Sequence, residues 1–99
     1  MAADRYPTKE KAEVEIYGRD GGIIAKIKDL SKTGACISWE TDQFQIQIGD
    51  LLRMRVILRA LKKEHRVNAE VVWTNGKSSG VQFLSSHEVV EKMLYKGAI

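Results

Sequence analysis

The chain has a single cysteine, Cys36, and a single proline, Pro7, among its 99 residues. One cysteine excludes an internal disulfide and is typical of a protein from a reducing compartment. Its longest apolar runs are only a few residues, too short to span a membrane. The N-terminus also lacks the apolar stretch of a secretory signal. These absences predict a cytoplasmic protein that does not insert into a membrane.

The excess of positive over negative charge is also small, since 16 Lys and Arg residues are balanced by 13 Asp and Glu, for a formal net charge of +3. This mild excess suits an anionic partner but lacks the basic density of a nucleic-acid binder, so no nucleic acid is expected as a partner. Neither His65 nor His87 has a cysteine or second histidine at metal-ligand spacing. No glycine-rich loop precedes a helix. We therefore predict a protein that is not an enzyme and holds no metal or cofactor.

What the chain does contain is alternation of apolar and polar residues, which indicates half-buried strands. Six such runs, separated by turn residues, are predicted at 12–17, 23–28, 35–39, 51–61, 65–73 and 80–83. Only the end is helical, because Ser85 and Glu88 have capping-box spacing and Leu84 and Val89 have that of a hydrophobic staple. The predicted fold class is mainly β: a small six-stranded antiparallel β-barrel with one C-terminal α-helix over 86–95.

The first 11 residues are polar and read as a flexible N-terminal arm, with one barrel domain over 12–99. Trp39 and Trp73 could stack on a purine, but each lies in register with inward-facing residues, which favours core packing. Arg53, Arg55 and Arg59 form a basic row on one strand face. Such a row is usually solvated, although it could meet an acidic partner or a ligand phosphate.

The most informative stretch is an Asp-x-Ser-x-x-Gly motif formed by Asp29, Ser31 and Gly34. Asp and Ser can bond to neighbouring backbone groups, and Gly can adopt a positive φ, so the motif alone predicts a hairpin turn over 29–34 that fixes strand register. A Gly-Asp-Leu turn at 49–51 and a Gly-Val-Gln-Phe strand at 80–83 follow in the chain.

This ordered set resembles the PilZ domain family, small bacterial β-barrels that commonly bind cyclic di-GMP. The resemblance covers nearly the whole chain. It implies that Asp29, Ser31 and Gly34 contact a guanine of the ligand. A carboxylate such as Asp29 can accept from the two adjacent N–H donors of guanine, Ser31 adds a donor and acceptor, and Gly34 permits close backbone approach.

The family's second motif is an Arg-x-x-x-Arg arm before the first strand, and here the sequence departs from it. Counting from Arg5 places Lys9 at the second position, whereas aligning on Pro7 places Asp4 and Thr8 where both arginines belong. Arginine clamps phosphates with a planar fork that lysine lacks. The predicted ligand-binding residues are therefore Asp29, Ser31, Gly34, Arg5 and Lys9, with weak binding.

Two functions remain open at this point. The leading hypothesis is a single-domain PilZ-like protein that binds cyclic di-GMP and signals in trans to a protein partner, by ordering of the 1–11 arm over the barrel. The alternative is a degenerate PilZ-like adaptor that binds no nucleotide and acts through protein–protein interaction. A barrel that binds single-stranded nucleic acid ranks last, because aromatic residues are not interleaved with the basic row.

Overall fold

Strands dominate the fold, as the alternation predicts. The computed structural model describes residues 6–41, 44–58 and 62–95. Its elements are β1 (Tyr6–Pro7), β2 (Lys11–Ile16), β3 (Gly22–Leu30), β4 (Gly34–Ser38), β5 (Leu51–Leu58), β6 (Lys63–Thr74), β7 (Ser78–Leu84) and α1 (Ser86–Tyr95). Among the described residues, no helix has the length and apolar character needed to cross a membrane.

Six antiparallel strands close into a barrel. Neighbouring strands follow the order β3-β2-β5-β6-β7-β4, and β4 pairs back with β3 to complete the ring. This confirms the predicted six-stranded barrel with a C-terminal helix. The two-residue β1 was not predicted, and it pairs with the end of β3 that β2 leaves uncovered.

The barrel interior holds the core because alternate residues of each strand point inward. Leu52 and Met54 are fully buried and Val56 nearly so, as the alternation along β5 predicts. Trp39 packs its ring edge-on against Phe44, with centroids 5.1 Å apart and planes at 85°. The stretch at 44–47 is not a strand, yet Phe44 and Ile46 are anchored in the core.

The helix begins where its cap residues predict. The Ser85 N–H donates to Glu88 Oε1 at 3.1 Å, and the Glu88 N–H donates to Ser85 Oγ at 3.2 Å. These bonds to the Ser85 backbone and hydroxyl lower the pKa of the Glu88 carboxyl. Val89 packs with Leu84 and Leu51 against the outside of the barrel, so the predicted staple is confirmed.

The prediction that both tryptophans lie in the core is wrong for Trp73. Trp39 is 5% exposed, whereas Trp73 is 41% exposed. The cause is a bulge between β6 and β7, where Val71 pairs with Val81 but Trp73 pairs with Gly80, which leaves Val72 as an extra residue. An extra residue moves the following side chain to the other face of the strand, so Trp73 lies outside the barrel.

Candidate functional site

The Asp-x-Ser-x-x-Gly motif lies at the β3–β4 hairpin, but the turn is shorter than predicted. Strand β3 continues through Asp29 to Leu30 and β4 begins at Gly34, so only residues 31–33 turn. A register shift leaves Lys28 as an extra residue between Ile27 and Asp29. Ile27 and Leu30 both face the core, and the half-buried Asp29 lies between them on the outer face.

Ser31 holds the turn together. Its Oγ accepts from the N–H groups of Thr33 at 3.2 Å and Gly34 at 3.1 Å. The same hydroxyl lies 3.2 Å from the Gly34 carbonyl oxygen, to which it can donate, and the Ser31 N–H donates to that oxygen at 2.9 Å. The hairpin role that the motif alone predicts is therefore confirmed for Ser31.

Gly34 serves the packing of two strands rather than a positive φ. Among the glycines that the structure describes, those with positive φ are Gly18, Gly21, Gly49 and Gly76, so the expectation of a left-handed turn at Gly34 is wrong. A Cβ at Gly34 would overlap the carbonyl oxygen of Val81 on β7. The close backbone approach that Gly34 permits is thus one within the barrel wall.

The described part of the predicted arm runs along β3. Tyr6 pairs with Leu30 and Pro7 with Asp29, and the Thr8 N–H donates to the Lys28 carbonyl at 3.1 Å. Lys9 lies two residues after Pro7 and is exposed. Asp4 and Arg5 lie outside the described residues. Residues 6–10 thus run beside Asp29, and the predicted role of Arg5 stays a prediction.

Strand pairing lines up a set of residues that the sequence does not bring together. Pro7 is registered with Asp29, Asp29 with Cys36, Cys36 with Gly80, and Gly80 with Trp73. We call this set the outer row. On β3, β4, β6 and β7 its members lie next to residues that face the core, so they face the outside of the barrel. A Cβ at Gly80 would overlap the indole of Trp73, which therefore lies over Gly80. Asp29 and Trp73 thus stand at the two ends of the row, with the small, buried residues Cys36 and Gly80 between them and the indole covering Gly80.

Sequence reasoning placed Asp29 in this site, but it favoured core packing over purine stacking for Trp73 and gave Gly80 no role here. The missing information was the β6 bulge, which reverses the direction that simple alternation assigns to Trp73. A usable signal was present, since an aromatic side chain often covers a glycine on the neighbouring strand.

The surroundings of the outer row are basic. Lys9, Lys28 and Lys32 are exposed on the arm, on β3 and in the 31–33 turn. Exposed ammonium groups attract phosphates as point charges, without the geometric fit of an arginine fork. Within the described residues, no three His, Cys, Asp or Glu side chains are grouped so as to hold a metal ion.

The predicted basic row lies on the other side of the barrel and is not purely basic. Arg55 is 33% exposed in its side chain and bonds to Glu13 on β2 and to Glu64 on β6, the latter at 3.1 Å. The hydrogen bond and charge of Glu13, and then the charge of Glu64, raise the pKa of the Arg55 guanidinium. Arg53 is exposed, and Arg59 lies outside the described residues.

Comparison with known proteins identifies the fold family. The sequence profile of the PilZ domain matches residues 2–96. The chain belongs to the PilZ domain family. PilZ domains form a family of cyclic di-GMP receptors, and the domain is a binding and adaptor domain rather than a catalytic one. The Asp29–Gly34 motif and the outer row therefore lie in a domain whose family functions in binding. No match to the chain was found among curated proteins.

Solved structures share the PilZ fold at low sequence identity. The PilZ domain of CeSA from a cellulose-synthesizing bacterium superposes with a TM-score of 0.66 at 16% identity, over 93% of this chain and 92% of that one. The Bacillus subtilis inhibitor of motility (MotI/DgrA) gives 0.65 at 13% identity, over 96% of this chain and 48% of that one. The Legionella uncharacterized protein Lpg0364 gives 0.53 at 13% identity, over 96% and 91%.

Proposed function

We propose that this PilZ domain binds cyclic di-GMP weakly over the outer row and signals in trans to a protein partner. The observation that carries the proposal is the strand register itself, which sets Asp29 and Trp73 on one outer face with Cys36 and Gly80 between them. Three strand spacings, about 14 Å along the sheet, separate the backbone positions of Asp29 and Trp73, and the indole extends over Gly80 toward Asp29. A ligand with two guanine bases and two phosphates suits a site of this width.

Each end of the outer row offers a different contact to such a ligand. The Asp29 carboxylate can accept from the adjacent N–H donors on one edge of guanine, a charge-assisted pair. The indole of Trp73 rests on Gly80 and is 41% exposed, so it offers a surface for a purine to stack on. Ser31 supports this arrangement by fixing the turn next to Asp29.

The arm is the reason to expect weak binding. Because Pro7 lies opposite Asp29, the next residue toward the barrel is Thr8, whose Oγ1 accepts from the Glu10 N–H at 2.9 Å. We align the arm on Pro7, which leaves Asp4 and Thr8 at the two arginine positions of the motif. Lysines at 9, 28 and 32 would then attract the phosphates alone, and each lost arginine contact corresponds to about ten- to hundredfold in affinity.

Signalling in trans is supported by the family's character as a binding and adaptor domain. One of the structural relatives is an inhibitor of motility by its name, and this chain spans about half of that protein. We also propose a cytoplasmic location, since the single cysteine of the chain, Cys36, is buried and cannot form an internal disulfide, which suits a reducing compartment.

A second function is favoured by a specific observation. Ser31 and Gly34 both have structural roles that need no ligand, in the turn and against Val81. An intact motif could therefore persist in an adaptor that binds no nucleotide and acts through protein contacts alone. The two functions differ in whether nucleotide perturbs the outer row.

Tryptophan fluorescence can test the proposal directly, because one tryptophan is buried and the other lies in the outer row. Titration with cyclic di-GMP should change the emission of the wild-type protein and of Trp39→Phe, but not that of Trp73→Phe. Asp29→Ala should weaken binding by about 1–3 kcal/mol, since it leaves guanine donors unpaired. GMP and cyclic di-AMP serve as controls for simple charge attraction.

The outcomes separate the two functions. No spectral change and no heat of binding at millimolar ligand would rule out the nucleotide-binding function and leave the adaptor function. Equal binding of the control nucleotides would reduce the site to a basic patch. Unchanged affinity in both Asp29→Ala and Ser31→Ala would place the ligand elsewhere.

The arm can be tested by restoring arginine in each alignment. If Arg5 and Lys9 are the working pair, Lys9→Arg should tighten binding and Arg5→Ala should abolish it. If Pro7 marks the alignment, Lys9→Arg should do little, and Asp4→Arg with Thr8→Arg should strongly improve binding. That gain should shrink as salt is raised, because exposed charges are screened.

A further inference from the structure

A groove of about 680 Å³ lies on the outside of β2, β5 and β6, away from the outer row. We call it the charged groove, and its polar lining consists of Glu13, Glu15, Arg53, Arg55, Arg66 and Asn68, with Tyr17 at one end. In the ring of strands, β5 is three strands from β4 in either direction. The charged groove and the outer row therefore lie on opposite sides of the barrel.

Strand register explains which charges in the groove are satisfied. Glu13, Arg55 and Arg66 form one cross-strand rung, and Glu15, Arg53 and Asn68 form the next. Arg55 is neutralised from both sides by Glu13 and Glu64. Within the described residues, neither Arg53 nor Arg66 forms an ion pair. Two arginines with free positive charge thus remain in the groove.

Arg53 is already oriented. Its guanidinium lies 5.6 Å from the centre of the Tyr17 ring, and the Tyr17 hydroxyl donates to Asn68 Oδ1 at 2.8 Å. A side chain held over an aromatic ring loses less rotamer freedom when it binds a ligand. Arg53 can therefore present its fork to an incoming anion at low entropic cost.

Arg66 lies directly opposite Arg55, an arrangement that strand pairing disfavours because like charges face each other. Arg53 and Arg66 are diagonal neighbours on β5 and β6, with Cα atoms about 7–8 Å apart. Two free guanidinium groups at this separation can each clamp one carboxylate of an extended chain. Glu13 and Glu64 offset the charge of Arg55 in this pair, which leaves the Arg66 guanidinium available to a ligand.

We propose that the charged groove is the docking site for an acidic segment of a protein partner, with Arg53 and Arg66 as the carboxylate clamps. Charge complementarity favours a peptide over nucleic acid, because Glu13 and Glu15 line the wall and would repel a continuous run of phosphates. A peptide can alternate carboxylates with N–H groups or lysines that meet those glutamates. Because the groove faces away from the outer row, the partner and the nucleotide can bind at once.

Docking at the charged groove rests on the proposed trans signalling and specifies the chemistry of the partner. The test uses no nucleotide, so that peptide binding at the groove and nucleotide binding at the outer row can fail separately. The probe is a short peptide with blocked termini in which glutamate alternates with glycine, titrated into the full chain and followed by amide NMR. We expect shifts concentrated at Tyr17, Arg53, Arg66 and Asn68. Arg53→Gln and Arg66→Gln should each weaken binding about tenfold, and both together should abolish it.

Matched variants make the result specific. Lys32→Gln removes an exposed cation on the far side of the barrel and should leave peptide affinity unchanged. Glu15→Gln removes a carboxylate from the groove wall and should tighten the peptide several-fold. A well-dispersed spectrum for each variant shows that the barrel is intact.

Three results would overturn the inference. Shifts centred on Asp29 and Ser31 would place the peptide on the outer row, and shifts spread over all exposed lysines would reduce binding to net charge. Tighter binding of oligothymidylate than of the peptide at the same groove residues would assign the groove to nucleic acid. Cyclic di-GMP titrations are unaffected by any of these outcomes.

Discussion

The two sides of this barrel are held by different forces. On the outer row, backbone and short side chains fix the geometry: Ser31 bonds within its own turn, and Gly34 lets β4 approach the Val81 carbonyl. In the charged groove, long side chains join three strands, with Arg55 between Glu13 and Glu64. The geometry of the outer row depends on close packing, whereas that of the charged groove depends on exposed charges.

A binding motif is therefore weak evidence for a ligand when its residues also stabilise the fold. Ser31 and Gly34 would be retained for folding even if the domain bound nothing, so their presence alone does not establish a ligand. Asp29 and Trp73 are more discriminating, because an exposed indole over a glycine is not required to close the barrel. Substitutions that act on one side of the barrel only can test whether the two sides differ in this way.

The largest effect is expected from Gly34→Ala. The added Cβ would overlap the Val81 carbonyl oxygen, so β4 and β7 must separate and the barrel should lose about 3 kcal/mol or more. Urea unfolding followed by circular dichroism measures this. Gly18→Ala is the control, since its Cβ meets nothing within 4 Å and only the positive φ costs about 1–2 kcal/mol. Equal losses in both variants would show that crowding at Gly34 is unimportant.

A smaller effect on the same side is expected from Ser31→Ala. Loss of the turn hydrogen bonds should lower the free energy of unfolding by about 1 kcal/mol, with the chain still folded. Affinity for cyclic di-GMP should fall by about 1–3 kcal/mol in the same variant if the hydroxyl also meets the ligand. Thr33→Ala keeps the Ser31 hydroxyl and serves as a control. A stability loss with unchanged affinity would restrict Ser31 to the fold.

The sequence was sufficient for the architecture because the relevant signals are local. Alternation specified the six strands to within a few residues, and Ser85 with Glu88 specified the first turn of the helix. The Asp29–Gly34 motif also located the hairpin of the candidate site. These features depend on residues close in the chain, which is where periodicity and capping rules apply.

The rest depended on register, which local patterns do not contain. The extra residue Val72 moved the side chain of Trp73 to the outer face of β6, and the extra residue Lys28 placed Asp29 on the outer face of β3. The pairing of Arg55 with two glutamates links positions 42 and nine residues apart. Pairings across a closed barrel are set by the whole sheet, so neither the outer row nor the groove charges followed from spacing.

On the charged side, Arg55→Met should destabilise the barrel less than Gly34→Ala and in a salt-dependent way. Glu13 and Glu64 would lose their shared partner, but both are well exposed to solvent, which weakens such pairs. The urea midpoint should drop at low salt, and the gap to wild type should narrow at high salt. Lys26→Met, which breaks a 3.9 Å pair with the exposed Glu40, should change nothing measurable. A salt-independent loss in Arg55→Met would mean that its packing matters more than its charge.

The smallest effect concerns the helix cap, which borders the groove but not the outer row. Val89 packs with Leu51 and Leu84, and Tyr17 joins that cluster at the end of the groove. The pKa of Glu88 is lowered in the folded protein by its bonds to Ser85, so its stabilising contribution is full above the usual carboxyl pKa, about 4.3. That contribution fades as the pH falls through the lowered value.

Glu88→Gln keeps a side-chain oxygen that can accept from the Ser85 N–H but removes the titrating charge. The variant should be slightly less stable than wild type at neutral pH, and the two urea midpoints should converge in acid, where wild-type Glu88 is protonated. At neutral pH, amide shifts should move at Tyr17 and Asn68, because the helix supports that end of the groove. Signals of Asp29 and Ser31 should stay in place. Movement at those residues would show that the two sides are coupled through the barrel, and that a partner in the groove can sense the outer row.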